Sequence, residues 1–562
     1  MPQHADAITT EIIAHRLRAA TDEMWGTLIK TAYSPNIKER KDCSVACFTA
    51  AGELISLSAA SPLHLSSLMG MVQNLTTRFS PAEMKPGDVF LTNDPYVGGG
   101  SHLPDLTVTT PVFADGELVA YVSSLAHHSD IGGKVAGSES ADCTSIFQEG
   151  LRLPPVRLMD ANGINRDVFD IVLLNSRTPH HRDGDLKAQI ASNMLGARRV
   201  QEVFAHFGRE TTLASITALF DYAEARTRAE IAKIPDGTYE NEDYIDHDGV
   251  TARNVKLRIA VTIAGDRIRF DFSGSDPQVA GARNMVLCAT LAGVYHAVKA
   301  VCDPSLPPNA GYFRAIDVYA PPGSIANAVP PAACGDRGAT INILGDLLIG
   351  ALTKAAPERG MAGCGSRQGM VFSGVDPRNR QYFVDYEVYA GAAGALYDRD
   401  GMDAVRVHAS VTENAPAEAT EQEFPLVIDR YELIEDSGGP GRHRGGLGVR
   451  LDVRILAEQA KLAGRGLRQT LPAPGCFGGR DGTTSRFVLD PGGPKETKLP
   501  SVFSDLQVET GVVVRLETPS AAGFGPAAER DRALVLEDIR SGKVSLDAAQ
   551  RDYGVTLDKA AR

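Results

Sequence analysis

Val255-Lys256-Leu257-Arg258-Ile259-Ala260-Val261-Thr262-Ile263-Ala264-Gly265-Asp266-Arg267-Ile268-Arg269-Phe270-Asp271-Phe272 is the stretch on which the reading of the fold turns. Apolar and polar residues alternate on both sides of Gly265-Asp266. Successive side chains of a strand point to opposite faces, so Val255 to Ile263 and Arg267 to Phe272 each bury one face and wet the other. The Gly-Asp pair supplies the turn of a hairpin. Working outward, Leu106 to Val112 and Leu118 to Leu125 form a second hairpin across Ala114-Asp115-Gly116, and Ser44 to Phe48 a third with Leu54 to Leu57.

Helical periodicity separates these pairs. Ile8, Ile12, Ile13, Leu17, Ala20, Met24 and Leu28 form one apolar stripe ending near Ser34-Pro35, where proline pushes its predecessor out of helical backbone. Further helices are expected over 64–79, 185–207, 215–234, 285–301 and 341–355. Strands and glycine turns dominate 370–517, and short helices close the chain over 533–553, with Ser545 an N-cap. Strands and helices do not alternate regularly, so a doubly wound sheet is excluded. The expectation is an α+β protein: a large mixed body of antiparallel and mixed sheets with flanking helices. Its predicted regions are an N-terminal α+β part (1–235), a middle α+β part (236–370) and a β-rich C-terminal part (371–562).

Composition narrows the function classes. Among 562 residues there are 57 basic and 70 acidic side chains, a formal net charge of −13, and no basic stripe that would track a phosphate backbone. Nucleic acid is not an expected partner. No apolar run approaches the ~20 residues of a membrane span, and the opening lacks a basic-then-apolar leader, so a soluble cytoplasmic protein is expected. The eight cysteines form no CxxC pair and read as reduced buried thiols. There is no GxxxxGK[ST] loop, no GxGxxG opening a helix and no GxSxG elbow, so ATP or dinucleotide binding by the standard loops is unsupported.

The chemistry gathers in glycine-rich loops. His102-Leu103-Pro104-Asp105 follows Gly98-Gly99-Gly100-Ser101, and His127-His128-Ser129-Asp130 precedes Ile131-Gly132-Gly133. Imidazole and carboxylate donors suit Mn, Zn or Fe(II) when they converge, and loops at strand ends are where scaffolds present such groups. One HxxD alone is more often a hydrogen-bonded pair; two within about thirty residues strengthen the metal reading. In an extended segment His128 points opposite to His127. Tyr33 to Asp42 reads from its spacing as a solvated turn, His64 as a core or capping histidine, and Glu149 as a surface carboxylate or one backing the site. Gly438 to Gly448 reads as a connector between strands. Ala333-Cys334-Gly335-Asp336-Arg337-Gly338, beside an expected helix, carries no reading beyond a loop or a determinant of substrate choice.

These motifs resemble the hydantoinase B/oxoprolinase family. The matching pieces are Ala32 to Arg40, Asn93-Asp94-Pro95-Tyr96, His102 to Asp105, Ala126 to Gly133, Gln148 to Arg152 and Gly445 to Gly448. The resemblance implies a subunit of an ATP-dependent hydrolase opening a cyclic amide such as hydantoin, 5-oxoproline or a lactam. A hydantoinase A-type partner in a hetero-oligomer would bind ATP and phosphorylate the substrate. Carried over by position, His102, Asp105 and His127 would ligate a divalent metal, with Asp130 a fourth candidate. His128 or Glu149 would act as general base. The alternatives are a subunit of an ATP-dependent ketone carboxylase, which would need bicarbonate, and a non-catalytic partner that completes the ATP subunit's site.

Overall fold

The computed structural model describes residues 6–58, 62–408 and 412–556. Its strands build four sheets. The first holds β1 (Cys43–Thr49), β2 (Leu54–Ser58), β3 (Val89–Thr92), β4 (Asp105–Ala114), β5 (Glu117–His127), β6 (Val156–Asp160) and β7 (Gly163–Ile164), in the order β2-β1-β5-β4-β3-β6-β7 with antiparallel neighbours. The second holds β8 (Gly237–Ile245), β9 (Val255–Ala264), β10 (Arg267–Asp271) and β11 (Ile316–Tyr319), in the order β11-β10-β9-β8. Its β9–β10 hairpin turns at Gly265-Asp266 with Ala264 opposite Arg267, and only β11 is parallel to its neighbour. A four-stranded and a five-stranded antiparallel sheet lie between Gln368 and Glu517. The fold is therefore mixed α+β with mainly antiparallel sheets.

Burial explains the pattern. On β9 the residues Val255, Leu257, Ile259, Val261 and Ile263 are all buried, and the polar residues between them are not. They join Ile343, Leu347 and Val298 in one apolar core that also takes in Phe48, Phe90 and Tyr121 of the first sheet. Residues of the N-terminal and middle regions thus share one apolar core. Three of the expected helices begin earlier than periodicity predicted. The helix expected from 185 starts at Pro179, which fits the first turn because its missing N–H has no partner there anyway. The helix expected from 341 runs Arg337–Ala355, and the one expected from 215 runs Arg209–Ile231. Ser545 caps Leu546–Tyr553 by accepting from Ala548 N at 3.1 Å. Gly438 to Gly448 connects the strands Leu426–Leu433 and Val449–Ile455. Cys43, Cys47, Cys143, Cys302, Cys334, Cys364 and Cys476 are free thiols. Among the described residues no helix is long and apolar enough to cross a membrane.

Candidate metal centre

Strand register brings the donors together. Asp105 is the first residue of β4 and His127 the last of β5, and the two sit opposite each other across the ladder. Opposed residues of an antiparallel pair have Cβ atoms about 5 Å apart, so their side chains meet on one face. His102 enters from the turn three residues earlier. One donor atom each from His102, Asp105 and His127 lies within 4.8 Å of the others, and all three residues are buried. His102 Nδ1 donates to Gly335 O at 3.0 Å, which leaves Nε2 bare, 3.0 Å from Asp105 Oδ1. Neither Nε2 nor Oδ1 has a hydrogen-bond partner. Burial holds the His127 imidazole down to about 3, and burial with the Arg337 charge lowers His102, so both rings are neutral. Burial alone would raise the Asp105 carboxyl, but the Arg337 guanidinium, 2.7 Å from its Oδ2, holds it well below the usual range. Two neutral imidazoles, an ionised carboxylate and two buried orphan atoms suit a divalent ion such as Zn, Mn or Fe(II).

The other expected residues divide. Asp130 is not in this group: Oδ1 accepts from Gly132 N and Arg177 N (3.1 and 2.8 Å), and Oδ2 from Gly137 N and Arg177 Nη1 (3.0 and 2.9 Å). It ties down the glycine loop, and a carboxylate so engaged has no lone pair facing the histidines. His128, on the other side of the strand end, meets Gln189 Oε1 at 3.0 Å on the helix Pro179–Phe207. Glu149 is 1% exposed, not a surface carboxylate. Its Oε1 accepts from Gly335 N at 2.6 Å, and burial raises its pKa to about 8. The close backbone approach depends on Gly133, at φ +86, where a Cβ would stand 2.7 Å from the Glu149 carbonyl carbon.

Several residues at the site carry no local motif. Glu139 Oε1 lies 3.1 Å from both His102 Nδ1 and His127 Nε2, and its Oε2 accepts from Tyr386 at 2.9 Å and pairs with Arg465. Tyr386 stacks on His127, ring centroids 4.6 Å apart. The segment Ala333 to Gly338 forms one wall: besides the Gly335 contacts, Arg337 donates to Ser101 and Asp105, both at 2.7 Å. The stretch from Tyr33 to Asp42 is only partly a solvated turn. Asn36 sits 3.1 Å from His127 Nδ1 and donates to its carbonyl at 2.7 Å, and Arg40 is buried against Glu387. His64 is a core histidine bonded to Ser44 at 2.8 Å.

Known proteins are similar to this chain over nearly its whole length. A protein of Pseudomonas sp. strain NS671, named as the B component of a D-/L-hydantoinase, is 31% identical, covering 98% of this chain and 95% of its own. The crystal structure of the ATP-dependent caprolactamase from Pseudomonas jessenii superposes with a TM-score of 0.90 at 31% identity, over 99% of this chain and 97% of that one. A nucleotide-free acetone carboxylase structure matches at a TM-score of 0.89 over 99% and 80%, but at 20% identity it speaks for the fold alone. Residues 6–527 match the hydantoinase B/oxoprolinase family, and the chain belongs to that family.

Proposed function

We propose that this chain is the metal-bearing subunit of an ATP-dependent hydrolase of cyclic amides, receiving a substrate that a separate ATP-using subunit has phosphorylated on its carbonyl oxygen. The observation that carries the reading is the pair of orphaned, fully buried atoms His102 Nε2 and Asp105 Oδ1 converging with His127 at the strand ends. Two relatives that span nearly the whole chain are named a hydantoinase component and a caprolactamase, and both names refer to ring amides.

The physical logic follows from the difficulty of the reaction. A ring amide resists water because resonance stabilises its carbonyl and nitrogen leaves poorly; phosphorylation on oxygen makes that carbon a strong electrophile. His102, Asp105 and His127 would hold the ion, which supplies Lewis acidity and acidifies water. Gly335 O fixes the His102 tautomer, and Arg337 holds Asp105 ionised and in place. Glu149 takes the proton of the attacking water at Oε2, where the Cys334 thiol is a long contact at 4.0 Å, since Oε1 is held by Gly335 N at 2.6 Å. With its pKa raised to about 8, it is a stronger base than an ordinary carboxylate once deprotonated.

The test combines this chain with its co-expressed ATP-using partner, ATP and a panel of hydantoins, oxoproline and lactams, and identifies the product. Ring-opened amino acids, lost in His102→Ala, are expected. A β-keto acid formed from a ketone, with no ring opening, would move the assignment to the carboxylases. Undiminished ring opening by metal-stripped protein would make the chain a non-catalytic partner.

A further inference from the structure

A second buried cluster lies in the middle and C-terminal regions, apart from the residues described above. Asp346 stands within the helix Arg337–Ala355, Cys364 in the loop before the strand Gln368–Val375, and His408 on a loop that enters left-handed backbone there, at φ +53. One donor atom from each lies within 4.8 Å of the others, and all three residues are buried. Asp346 Oδ1 is the focus: it accepts from His408 Nε2 at 2.8 Å and from Cys364 N at 2.9 Å, the latter drawing the thiol to the same side. The other carboxylate oxygen, Oδ2, is turned away onto Arg468 Nη2 at 2.9 Å, and Arg468 in turn grips Asp243 at 2.7 and 3.0 Å. Gly394 N donates to the Cys364 sulfur at 3.3 Å and the sulfur in turn donates to Ala362 O at 3.9 Å, so the residue is a thiol that gives up its proton when an ion binds. The packing is specific to this arrangement: a Cβ on Gly345 would stand 2.4 Å from His408 Cβ and Cγ, so only glycine lets the imidazole lie against the helix beside Asp346.

We propose that Asp346, Cys364 and His408 form a second divalent-metal site, selective for zinc or a similarly soft ion because one ligand is a thiolate. Carboxylate, imidazole and thiolate are the three zinc donor types, and three of them leave one tetrahedral position for water. Starting from an imidazolium His408 paired with the Asp346 carboxylate and a Cys364 thiol, binding releases two protons, one from His408 Nε2, which leaves the imidazole neutral with its hydrogen on Nδ1, and one from Cys364 Sγ, as the ion takes the place of the hydrogen between His408 and Asp346. The Nε2–Oδ1 separation would open by about half an ångström to span ligand bonds of about 2.0–2.1 Å. Such an ion joins three segments far apart in sequence and neutralises the charge that Asp346 and a Cys364 thiolate place in the interior. The proposal does not depend on the reaction assigned to the first site.

Cobalt(II) discriminates the two sites, because only a thiolate ligand gives a near-ultraviolet sulfur-to-cobalt charge-transfer band. The full chain is stripped with chelator, reloaded with cobalt, and its bound metal counted. Two ions per chain with that band are expected. Cys364→Ala should drop to one ion and lose the band, whereas His102→Ala should drop to one ion and keep it. His408→Gln, which retains the thiol, should weaken the band at least tenfold at limiting cobalt and covers the case in which Cys364→Ala does not fold. Saturated wild-type protein without the band, or a band that persists in Cys364→Ala, would overturn the site. Loss of the ion from His102→Ala alone bears on the first site and not on this one.

Discussion

The two buried clusters use nearly the same side chains and are assembled in opposite ways. His102, Asp105 and His127 come from the ends of two adjacent strands, where ladder register aligns Asp105 with His127. Asp346, Cys364 and His408 come from a helix and two loops, brought together only by tertiary packing. In the first, His102 Nε2 and Asp105 Oδ1 have no hydrogen-bond partner; in the second, Asp346 is bonded on both oxygens. A rigid sheet can hold unsatisfied donors in readiness, because the cost of their burial is carried by the strands around them. A cluster made from loops needs its own internal bonds to exist. The first arrangement suits chemistry, and the second suits cross-linking.

The largest effect is expected at the first cluster. His127→Ala should remove its ion and lower ring-opening turnover on the order of 10³-fold or more, with the second ion retained, as read by metal counts and product formation. Retention of turnover would show that the strand-end cluster is not the reaction centre. Glu149→Gln should cost roughly 10²–10⁴-fold. In the wild type kcat/KM should climb with pH and level off above about 8, because the base works deprotonated, and the variant should lack that limb. The sign for stability is the reverse. A carboxyl raised from 4.5 to about 8 on folding favours the folded state below pH 4.5 and loses that contribution as pH rises through 8, so the variant's Tm should fall less across pH 6–9.

Smaller effects sharpen the same contrast. Glu139→Gln should weaken the first ion about 10–100-fold, as loss of a carboxylate facing the histidines does elsewhere, while Asp130→Asn should leave its affinity unchanged and lower only Tm. Equal losses from both would contradict the division of roles between those carboxylates. Gly345→Ala should cost about 1–3 kcal/mol by driving a methyl into His408, seen as a lowered Tm with the first ion intact.

Legibility in the sequence followed the same line. Alternation around Gly265-Asp266 and the hairpins of the first sheet were readable because their partners are neighbours in the chain. His102, Asp105 and His127 stood out because HxxD spacing and flanking glycines are local signals. Glu139 was not readable: its partners are two histidines, Tyr386 and Arg465, and nothing in Gly137-Ser138-Glu139-Ser140 marks it. Asp130 had the look of a ligand because it repeats the HxxD spacing, yet in the fold it is spent on backbone N–H groups and Arg177. Arg337 had a visible signal in the charge-rich, glycine-flanked Ala333 to Gly338, but its destination at Asp105 lies 232 positions away. The packing of Phe48 with Ile259 in one core, across more than two hundred positions, likewise carries no local signal.

The reach of Tyr386 to Glu139, across 247 positions, sets a clock on biosynthesis. At about 5–20 residues per second, both strand-end histidines leave the ribosome roughly 10–50 s before the tyrosine that roofs them is made. During that interval the nascent site is open to whichever ion the cell offers. On the proposed metal reading, the choice of ion would be sealed inside once Tyr386 and Arg465 arrive.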